Sequence, residues 1–304
     1  MTAFPHVTGV VVTYNPDLTL LEATLRRLSG VLAETVVVDN SDDPEAADRV
    51  ARLCRSGSVT HLPSGGNVGI ASAQNRAARH AIDAGAEYVL FLDDDSELTA
   101  DAVRRLVDRA VGLRSGNSDA LAFGPRVVDR RTRESLTYVW RGRHLVQLPA
   151  ERDHTDPTVA AFLLGSGALV AAEAFTRVGW FRDDYFIDHV DKEWGLRAGA
   201  VGITCLVFPD IELDHSLGDV PERRPRTSAA FYTHRSAVRD YYLTRNACLM
   251  FRDLDLPVIQ FVGMLRLLVE SSVRKTVRPR HPGQRAAVVR GLWHGIIGIR
   301  GPMP

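Results

Sequence analysis

Apolar runs that alternate with helix-like spacing fill the first hundred residues, and this alternation constrains the fold more than any other feature. The runs cover Val7 to Val12, Thr35 to Val38, Val59 to Leu62 and Tyr88 to Leu92. Between them apolar residues recur at helical spacing, as from Leu18 to Leu28. Nearly continuous apolar strands that alternate with helices are typical of a parallel sheet covered on both faces. The sequence therefore predicts an α/β, Rossmann-like fold with a mostly parallel central sheet flanked by helices.

The pattern changes after Leu121, where shorter apolar runs with many arginines predict a β-rich segment that reaches Pro149. Residues 161–171 read as one apolar strand, and its central glycines indicate that a backbone or a ligand approaches closely. A further apolar strand is expected at Leu206 to Phe208, followed by a Pro-Asp turn. Helical spacing through Tyr241 and beyond Pro257 predicts a C-terminal helical extension.

Bulk charge and cysteine content narrow the classes of partner. Because 37 Lys and Arg balance 37 Asp and Glu, no chain-wide field favours nucleic acid, and none is expected as a partner. The cysteines are few and widely spaced, which predicts buried thiols in a reducing compartment without a zinc or disulfide pattern. The sequence shows no basic leader before its first apolar run and no stretch long enough to span a bilayer, so we expect a cytoplasmic location.

The last segment, residues 257–304, is strongly basic. It carries eight Lys and Arg against the single acid Glu270, a net charge of +7, beside apolar residues such as Trp293. One interpretation is peripheral contact with the anionic inner face of a membrane. The other is a docked helix pair with a solvated basic face, and the sequence leaves both open.

Three consecutive carboxylates, Asp93, Asp94 and Asp95, follow the apolar Tyr88 to Leu92 run. Their mutual repulsion favours a divalent cation, and Mg²⁺ or Mn²⁺ would bind carboxylate oxygens while leaving positions open for substrate phosphates. The alternative is an acidic cap for a helix that starts near Thr99.

The block FIDHVDKEWGLR is the densest acidic and aromatic stretch in the chain. Asp191 lies there between Val190 and Trp194, a setting that suits a general base. The alternative is a helix start with surface acids and an intrahelical Glu193–Arg197 pair. His215 could complete a metal shell, although a lone histidine is more often structural.

The loop SGGNVGIASAQN places glycines and Asn67 directly before a predicted helix over Ile70 to Ala84. Free backbone amides at a helix start can approach a nucleotide. The loop matches neither the Walker pattern nor a GxGxxG fingerprint, so on its own it indicates only a turn with that capacity.

Seven motifs in order resemble glycosyltransferase family 2, of the GT-A fold, and within it the bacterial rhamnosyltransferase group. The motifs are VVVTYNP, VVVDNSD, GGNVGIASAQN, FLDDDSEL, FLLGSGALV, FIDHVDKEWGLRA and DHSLGD. The resemblance implies a GT-A catalytic domain over residues 1–220, with a nucleotide-binding half at 1–100 and an acceptor half at 121–220. A helical, basic segment over 221–304 would follow.

The resemblance also implies roles for individual residues. Asp93 and Asp95 become a DxD metal pair supported by His215, Asp191 becomes the base, and Trp194 offers an apolar platform to the acceptor. Val190 departs from the family, in which an acid often precedes the base. The donor site is expected at Thr13, Tyr14, Asn15, Asp39, Asn67, Gly69, Asn75, Asp93 and Asp94, and the donor–acceptor junction at Gly165, Ser166 and Gly167.

The implied reaction is an inverting, metal-dependent transfer of a sugar from a nucleoside diphosphate to a hydroxyl group. The donor would be dTDP- or UDP-linked, with dTDP-rhamnose suggested by the resemblance, and the acceptor a glycan or lipid-linked glycan. A homo-oligomer is left open. The competing functions are a metal-dependent nucleotidyltransferase and a catalytically silent sugar-nucleotide-binding protein.

Overall fold

The structure of the protein is a computed structural model that describes residues 5–55, 59–114, 119–130, 133–142, 144–149, 155–215, 219–222, 232–234, 236–279 and 281–304. The strands in these residues are β1 (Val7–Thr13), β2 (Glu34–Asp39), β3 (Val59–Pro63), β4 (Tyr88–Asp93), β5 (Ala120–Asp129), β6 (Tyr138–Arg141), β7 (His144–Gln147), β8 (Thr158–Ala160), β9 (Leu169–Ala171), β10 (Thr204–His215), β11 (Asp219–Glu222) and β12 (Tyr232–His234). The helices are α1 (Leu18–Ser29), α2 (Pro44–Leu53), α3 (Ile70–Asp83), α4 (Ala100–Arg114), α5 (Ala172–Val178), α6 (Val190–Ala200), α7 (Ala237–Asp253), α8 (Val258–Val277) and α9 (Gln284–Ile297).

The centre of the fold is an eight-stranded sheet in the order β3-β2-β1-β4-β9-β5-β10-β8. The β1–β2, β2–β3, β1–β4 and β5–β10 pairs are parallel, whereas the short β9 runs antiparallel to β4 and β5, and β8 runs antiparallel to β10. Two hairpins, β6–β7 and β11–β12, lie apart from this sheet. The prediction of a mostly parallel sheet flanked by helices is therefore confirmed.

Helices α1 and α3 cover the sheet with buried apolar side chains. Leu21 and Leu28 of α1 are almost fully buried, each of which stabilises the fold by about 1.5–3 kcal/mol. The alanines of α3, such as Ala77, are completely buried because small side chains let this helix approach the strands closely. The side chain of Asp17 caps α1 by accepting a hydrogen bond from the Thr19 amide.

The carboxyl ends of β1, β2 and β4 lie side by side. In the sheet register Thr13 is opposite Asp39, and Val12 is opposite Asp93. The chain leaves β1 for β2 on one side and later returns to pair β4 with β1 on the other side. Such a point of reversal opens a crevice beyond the strand ends, where ligands bind in sheets of this kind.

The strand expected over residues 161–171 is wrong in its extent. β8 ends at Ala160 and β9 begins only at Leu169. Gly167 has φ +87°, a left-handed conformation that turns the chain, and its amide donates to the Phe91 carbonyl. The glycines therefore form a turn against β4.

The strand expected at Leu206 to Phe208 is longer than predicted. β10 continues through Pro209 and Asp210 with a shift of register against β5 between Phe208 and Glu212. His215 therefore lies on the strand itself, and residues 216–218 of the DHSLGD motif lie outside the described residues. The prediction of C-terminal helices is confirmed by α7, α8 and α9, and the three cysteines are free, buried thiols. No helix among the described residues is both long and apolar enough to cross a membrane.

Candidate active site

The acidic cluster forms where β4 ends. The amide of Asp93 donates to the Ser96 hydroxyl over 2.9 Å, which fixes the turn through Asp94 and Asp95. Asp93, Asp95 and His215 each direct one ligand atom toward a common point, and these atoms lie within 4.8 Å of one another. The three residues predicted to share a metal ion therefore converge.

The helix-capping interpretation of the aspartates does not hold. Helix α4 begins at Ala100, and the hydroxyl of Thr99 accepts the hydrogen bond from the Ala102 amide. Because Thr99 caps α4, the helix needs no carboxylate from the cluster.

The electrostatics of the cluster favour a cation. Partial burial raises the pKa of Asp93, and the charge of Asp95 raises it further, whereas His215 opposes the shift. Burial together with both neighbouring carboxylates raises the pKa of Asp94 to about 7. The Nδ1 atom of His215 is buried and has no hydrogen-bond partner among the described residues. The Nε2 atom of the same ring lies 3.9 Å from Oδ2 of Asp93. Crowded carboxylates beside an imidazole nitrogen fit the binding of a divalent cation.

Asp191 occupies the first turn of α6. Its Oδ2 accepts a hydrogen bond from the Gly165 amide over 3.1 Å, and its Oδ1 accepts one from the Lys192 amide over 2.7 Å. Burial raises the pKa of Asp191, the two amides lower it, and the charges of Asp188 and Asp93 raise it again. A carboxylate with a raised pKa that is held by backbone amides suits a general base.

The alternative interpretation of this block is correct for the intrahelical Glu193–Arg197 pair but wrong in placing its acid on the surface. Arg197 forms a 2.9 Å ion pair with Glu193, which is completely buried, and also donates to the Trp180 carbonyl. These contacts hold α6 against the segment before it. Asp191 takes no part in the pair.

The turn from Gly165 to Gly167 joins the acidic cluster to Asp191. The Ser166 hydroxyl lies 2.5 Å from that of Ser96, and the Asp93 amide donates to it over 3.4 Å. The preceding amide, that of Gly165, is the one that binds the Asp191 carboxylate. This arrangement puts the three junction residues between the cluster and the base.

The ends of β1 and β2 form a hydrogen-bonded group of predicted donor residues. Buried Thr13 donates from its hydroxyl to Asp39 over 3.1 Å. Tyr14, half exposed, donates to Asp42 over 2.8 Å, and the Asn15 side chain donates to the other oxygen of Asp42. Sequence reasoning missed Asp42, although it lies in the VVVDNSD motif.

The loop before α3 also supplies predicted donor residues. The Asn67 side chain accepts from the Gly69 amide over 3.0 Å, and Gly69 precedes α3 with φ +85°. A Cβ atom at Gly69 would lie 2.6 Å from the Phe186 carbonyl oxygen, so only glycine fits there.

Asn75 serves a different purpose from the one predicted. Its side-chain oxygen accepts from the Phe181 amide, and its nitrogen donates to the Phe181 carbonyl over 2.8 Å and to Asp183. The amide is almost fully buried, and its oxygen and both of its N–H groups have protein partners, so it ties α3 to this segment.

The prediction that Trp194 forms an acceptor platform is wrong. Only 4% of its surface is exposed, and its indole NH donates to the Gly179 carbonyl. The ring packs against Phe175 and Phe181, with centroids 5.8 and 5.7 Å away. Trp194 faces the core because the side of α6 that carries it packs against α5.

The segment before Asp191 is strained. Phe186, Asp188 and His189 all have positive φ, which is uncommon outside glycine and costs on the order of 1–3 kcal/mol each. Phe186, with φ 65° and ψ −66°, forms a rare γ-turn closed by the hydrogen bond from the Ile187 amide to the Tyr185 carbonyl. We call residues 186–189 the strained loop.

Helix α7 holds the strained loop in place. The side-chain amide of buried Asn246 donates to the carbonyls of Tyr185, Ile187 and Asp188 over 2.9, 2.8 and 2.9 Å. Its neighbour Arg245, also buried, donates to the Asp184 and Tyr185 carbonyls.

A second contact from α7 fixes the side chain of Asp188, which forms an ion pair with Arg239 over 2.6 Å. Sequence reasoning gave these α7 residues no role. Arg245 and Asn246 lie within the largely apolar stretch YYLTRNACLM. Polar residues in such a stretch were the available sign that α7 has buried polar partners.

Comparison with known proteins identifies the family of the chain. Residues 8–179 match the family model described as "Glycosyl transferase family 2". The chain is 30% identical to the dTDP-rhamnosyl transferase RfbF of Shigella flexneri over 256 residues, which cover 84% of this chain and 82% of that protein. It is 28% identical to the N-acetylglucosaminyl-diphospho-decaprenol L-rhamnosyltransferase of Mycobacterium tuberculosis over 260 residues, covering 75% and 81% of the two chains.

Solved structures share the fold. The S. aureus TarS 1-349 complex with UDP-GlcNAc superposes with a TM-score of 0.60 at 14% identity, covering 96% of this chain and 81% of that one. GalNAc-T7 with UDP, GalNAc and Mn²⁺ gives 0.57 at 16% identity, covering 89% and 55%. These likenesses confirm the GT-A fold predicted from the sequence.

Proposed function

Because the chain belongs to glycosyltransferase family 2 and transfers a glycosyl group from a nucleotide sugar, we propose that its donor is dTDP-L-rhamnose. The rhamnosyl transferases among its relatives support this choice of sugar. The observation that carries the proposal is the convergence of Asp93, Asp95 and His215 beside Asp191. A cation site for the diphosphate charge next to a proton acceptor is what such a transfer requires, and this convergence supports it.

Asp93, Asp95 and His215 would hold the divalent cation, Mg²⁺ or Mn²⁺. When bound, the cation neutralises charge on the diphosphate of the donor. The side chain of Asp93 keeps 40% of its surface exposed, so the donor can reach this edge of the cluster. The nucleoside end of the donor would lie over Tyr14, Asn15 and the loop at Asn67, beyond the strand ends.

Asp191 is the proposed base. It accepts the proton of the acceptor hydroxyl while that oxygen bonds to the anomeric carbon and the bond from this carbon to the diphosphate oxygen breaks. Attack opposite the leaving group inverts the configuration. The amides of Gly165 and Lys192 keep the carboxylate in position, so positioning supplies much of the rate.

The proposed acceptor is a lipid-linked glycan, reached by peripheral contact with the cytoplasmic face of a membrane. The mycobacterial relative is named as a rhamnosyltransferase that acts on N-acetylglucosaminyl-diphospho-decaprenol, which supports an acceptor of this class. The basic C-terminal segment is compatible with an anionic lipid surface.

Thermal stabilisation and product analysis test the proposal. We expect dTDP-rhamnose with Mn²⁺ to raise the melting temperature more than UDP- or GDP-linked sugars, and Asp95→Asn to remove the metal-dependent part. With an acceptor the products should be dTDP and a rhamnosylated glycan. Release of pyrophosphate would favour a nucleotidyltransferase, and binding without turnover would favour a silent binding protein.

A further inference from the structure

Helix α8 exposes an apolar stripe along its length. Val258, Val262, Leu265, Val269 and Val273 follow one another at intervals of three or four residues and are 41–80% exposed. Residues spaced in this way lie on one face of a helix, and a helix of 20 residues is about 30 Å long. Only Met264 and Ser272 of this helix are buried. The stripe is therefore a long apolar surface that the described residues leave uncovered.

Helix α9, which packs against α7 and α8, adds a second exposed patch. Val289, Trp293, Ile296 and Ile297 are 46–64% exposed and lie within about two and a half turns of the helix. An exposed tryptophan beside aliphatic side chains is typical of a surface at the boundary between water and lipid. We call the five residues of the α8 stripe and these four residues of α9 together the apolar face.

The charges on and between these helices are almost all positive. Arg274, Arg278, Arg285 and Arg290 are exposed. The only acid of residues 257–304, Glu270, already forms a 2.6 Å ion pair with Arg266. A second copy of the chain would bring these arginines against like charges, whereas an anionic lipid surface would neutralise them.

We propose that the apolar face binds an anionic lipid bilayer, with α8 and α9 lying in the interface and the exposed arginines contacting the headgroups. Helices that combine an apolar stripe with flanking arginines bind membranes in this orientation. Membrane binding would bring the enzyme to a lipid-linked acceptor, and only this last step rests on the proposed function.

The same part of the chain is tied to the active site. Arg300, just after α9, donates to Asp184 over 2.8 Å and to Asp253, and the amide of Gly301 donates to the Asp184 carbonyl. Asp184 lies two residues before the strained loop. A bilayer on the apolar face would therefore have a fixed position relative to Asp191.

Vesicle sedimentation of the full chain tests this proposal. We expect binding to vesicles of phosphatidylcholine and phosphatidylglycerol that weakens as salt rises, and little binding to phosphatidylcholine alone. The double variant Val262→Glu, Val269→Glu should reduce binding roughly tenfold or more, because it places acids in the apolar stripe. Val201→Glu is the matched control: Val201 is 45% exposed at the end of α6, and its substitution should leave binding unchanged.

Two results would overturn the proposal. One is equal vesicle binding by the wild type and the double variant. The other is that the wild type is a dimer in light scattering and binds neither kind of vesicle, whereas the double variant is a monomer. That result would assign the face to a second copy of the chain. Sugar transfer by the wild type to a water-soluble acceptor is measured in a separate assay. If the wild type binds vesicles but transfers no sugar, the result counts against the proposed function alone.

Discussion

Replacing Asn246 by alanine should impair the enzyme from a position that no substrate contacts. The two N–H groups of its amide are shared among three carbonyl oxygens of residues 185–188, and its oxygen accepts from Arg245 over 2.9 Å. Each neutral bond contributes about 1 kcal/mol, and the bond from the charged guanidinium about 1.5–3 kcal/mol. Because a water molecule can replace part of this network, we expect a loss of about 2–4 kcal/mol in the free energy of unfolding.

The effect on catalysis should follow from relaxation of the strained loop. Its left-handed residues persist because α7 holds them, and Asp191 is the second residue after His189. A shift of the carboxylate by about 1 Å would lower kcat by up to roughly a hundredfold. The proposed contacts of the nucleotide with the ends of β1 and β2 do not involve Asn246, so the dissociation constant of the donor should change little.

A destabilised variant of the same helix separates positioning from loss of folding. Leu249→Ala removes a fully buried side chain from α7, at about 2–5 kcal/mol, without removing a hydrogen bond to the strained loop. Both variants are assayed for kcat and donor affinity at a temperature where each is fully folded by circular dichroism. Equal kcat values for Asn246→Ala and Leu249→Ala would refute the positioning role.

Two further predictions concern Asp191. Asp191→Asn should lower kcat by about 10²–10⁴-fold, because the variant has lost the proton acceptor. Donor binding measured by calorimetry should not weaken. Parallel losses of donor affinity and turnover would contradict the role of Asp191 as the base. The pKa of Asp191 is raised above its ordinary 3.8, so kcat/KM should fall as the pH drops through that raised value, because the protonated carboxyl cannot act as a base. An acid limb at or below 3.8 in the pH profile would count against this assignment.

The nucleotide-binding half could be predicted in detail from the sequence because its elements are local. β1, β2, β3, β4 and α3 fall where the apolar runs and helical spacing put them, and the polar strand ends meet because parallel strands share an edge. The convergence of Asp93 and Asp95 with His215 brings the end of β4 near the end of the distant β10. The residues alone offered His215 only as one of two options, a metal ligand or a structural histidine, and the family motifs favoured the ligand.

Other features could not be predicted because they depend on which side of an element faces the core. Trp194 and Asp191 belong to the same helix, and only packing against α5 decides that the indole is buried while the carboxylate faces the cluster. Asn75 is polar and close to the donor loop, yet its amide satisfies the backbone of residue 181. Periodicity records that a position is buried or polar, and it does not identify the partner.

The distribution of unfavourable features argues against a silent binding protein. Crowded carboxylates, an unsatisfied imidazole nitrogen and three left-handed residues are all found around one end of the sheet, and each costs folding free energy. Binding of a nucleotide sugar could account for the carboxylates and for His215, but it gives no reason to strain the chain ahead of Asp191. A base that must meet an acceptor hydroxyl within a hydrogen-bond length does require such fixed placement. The strained loop and its attachment to α7 therefore favour turnover over binding alone.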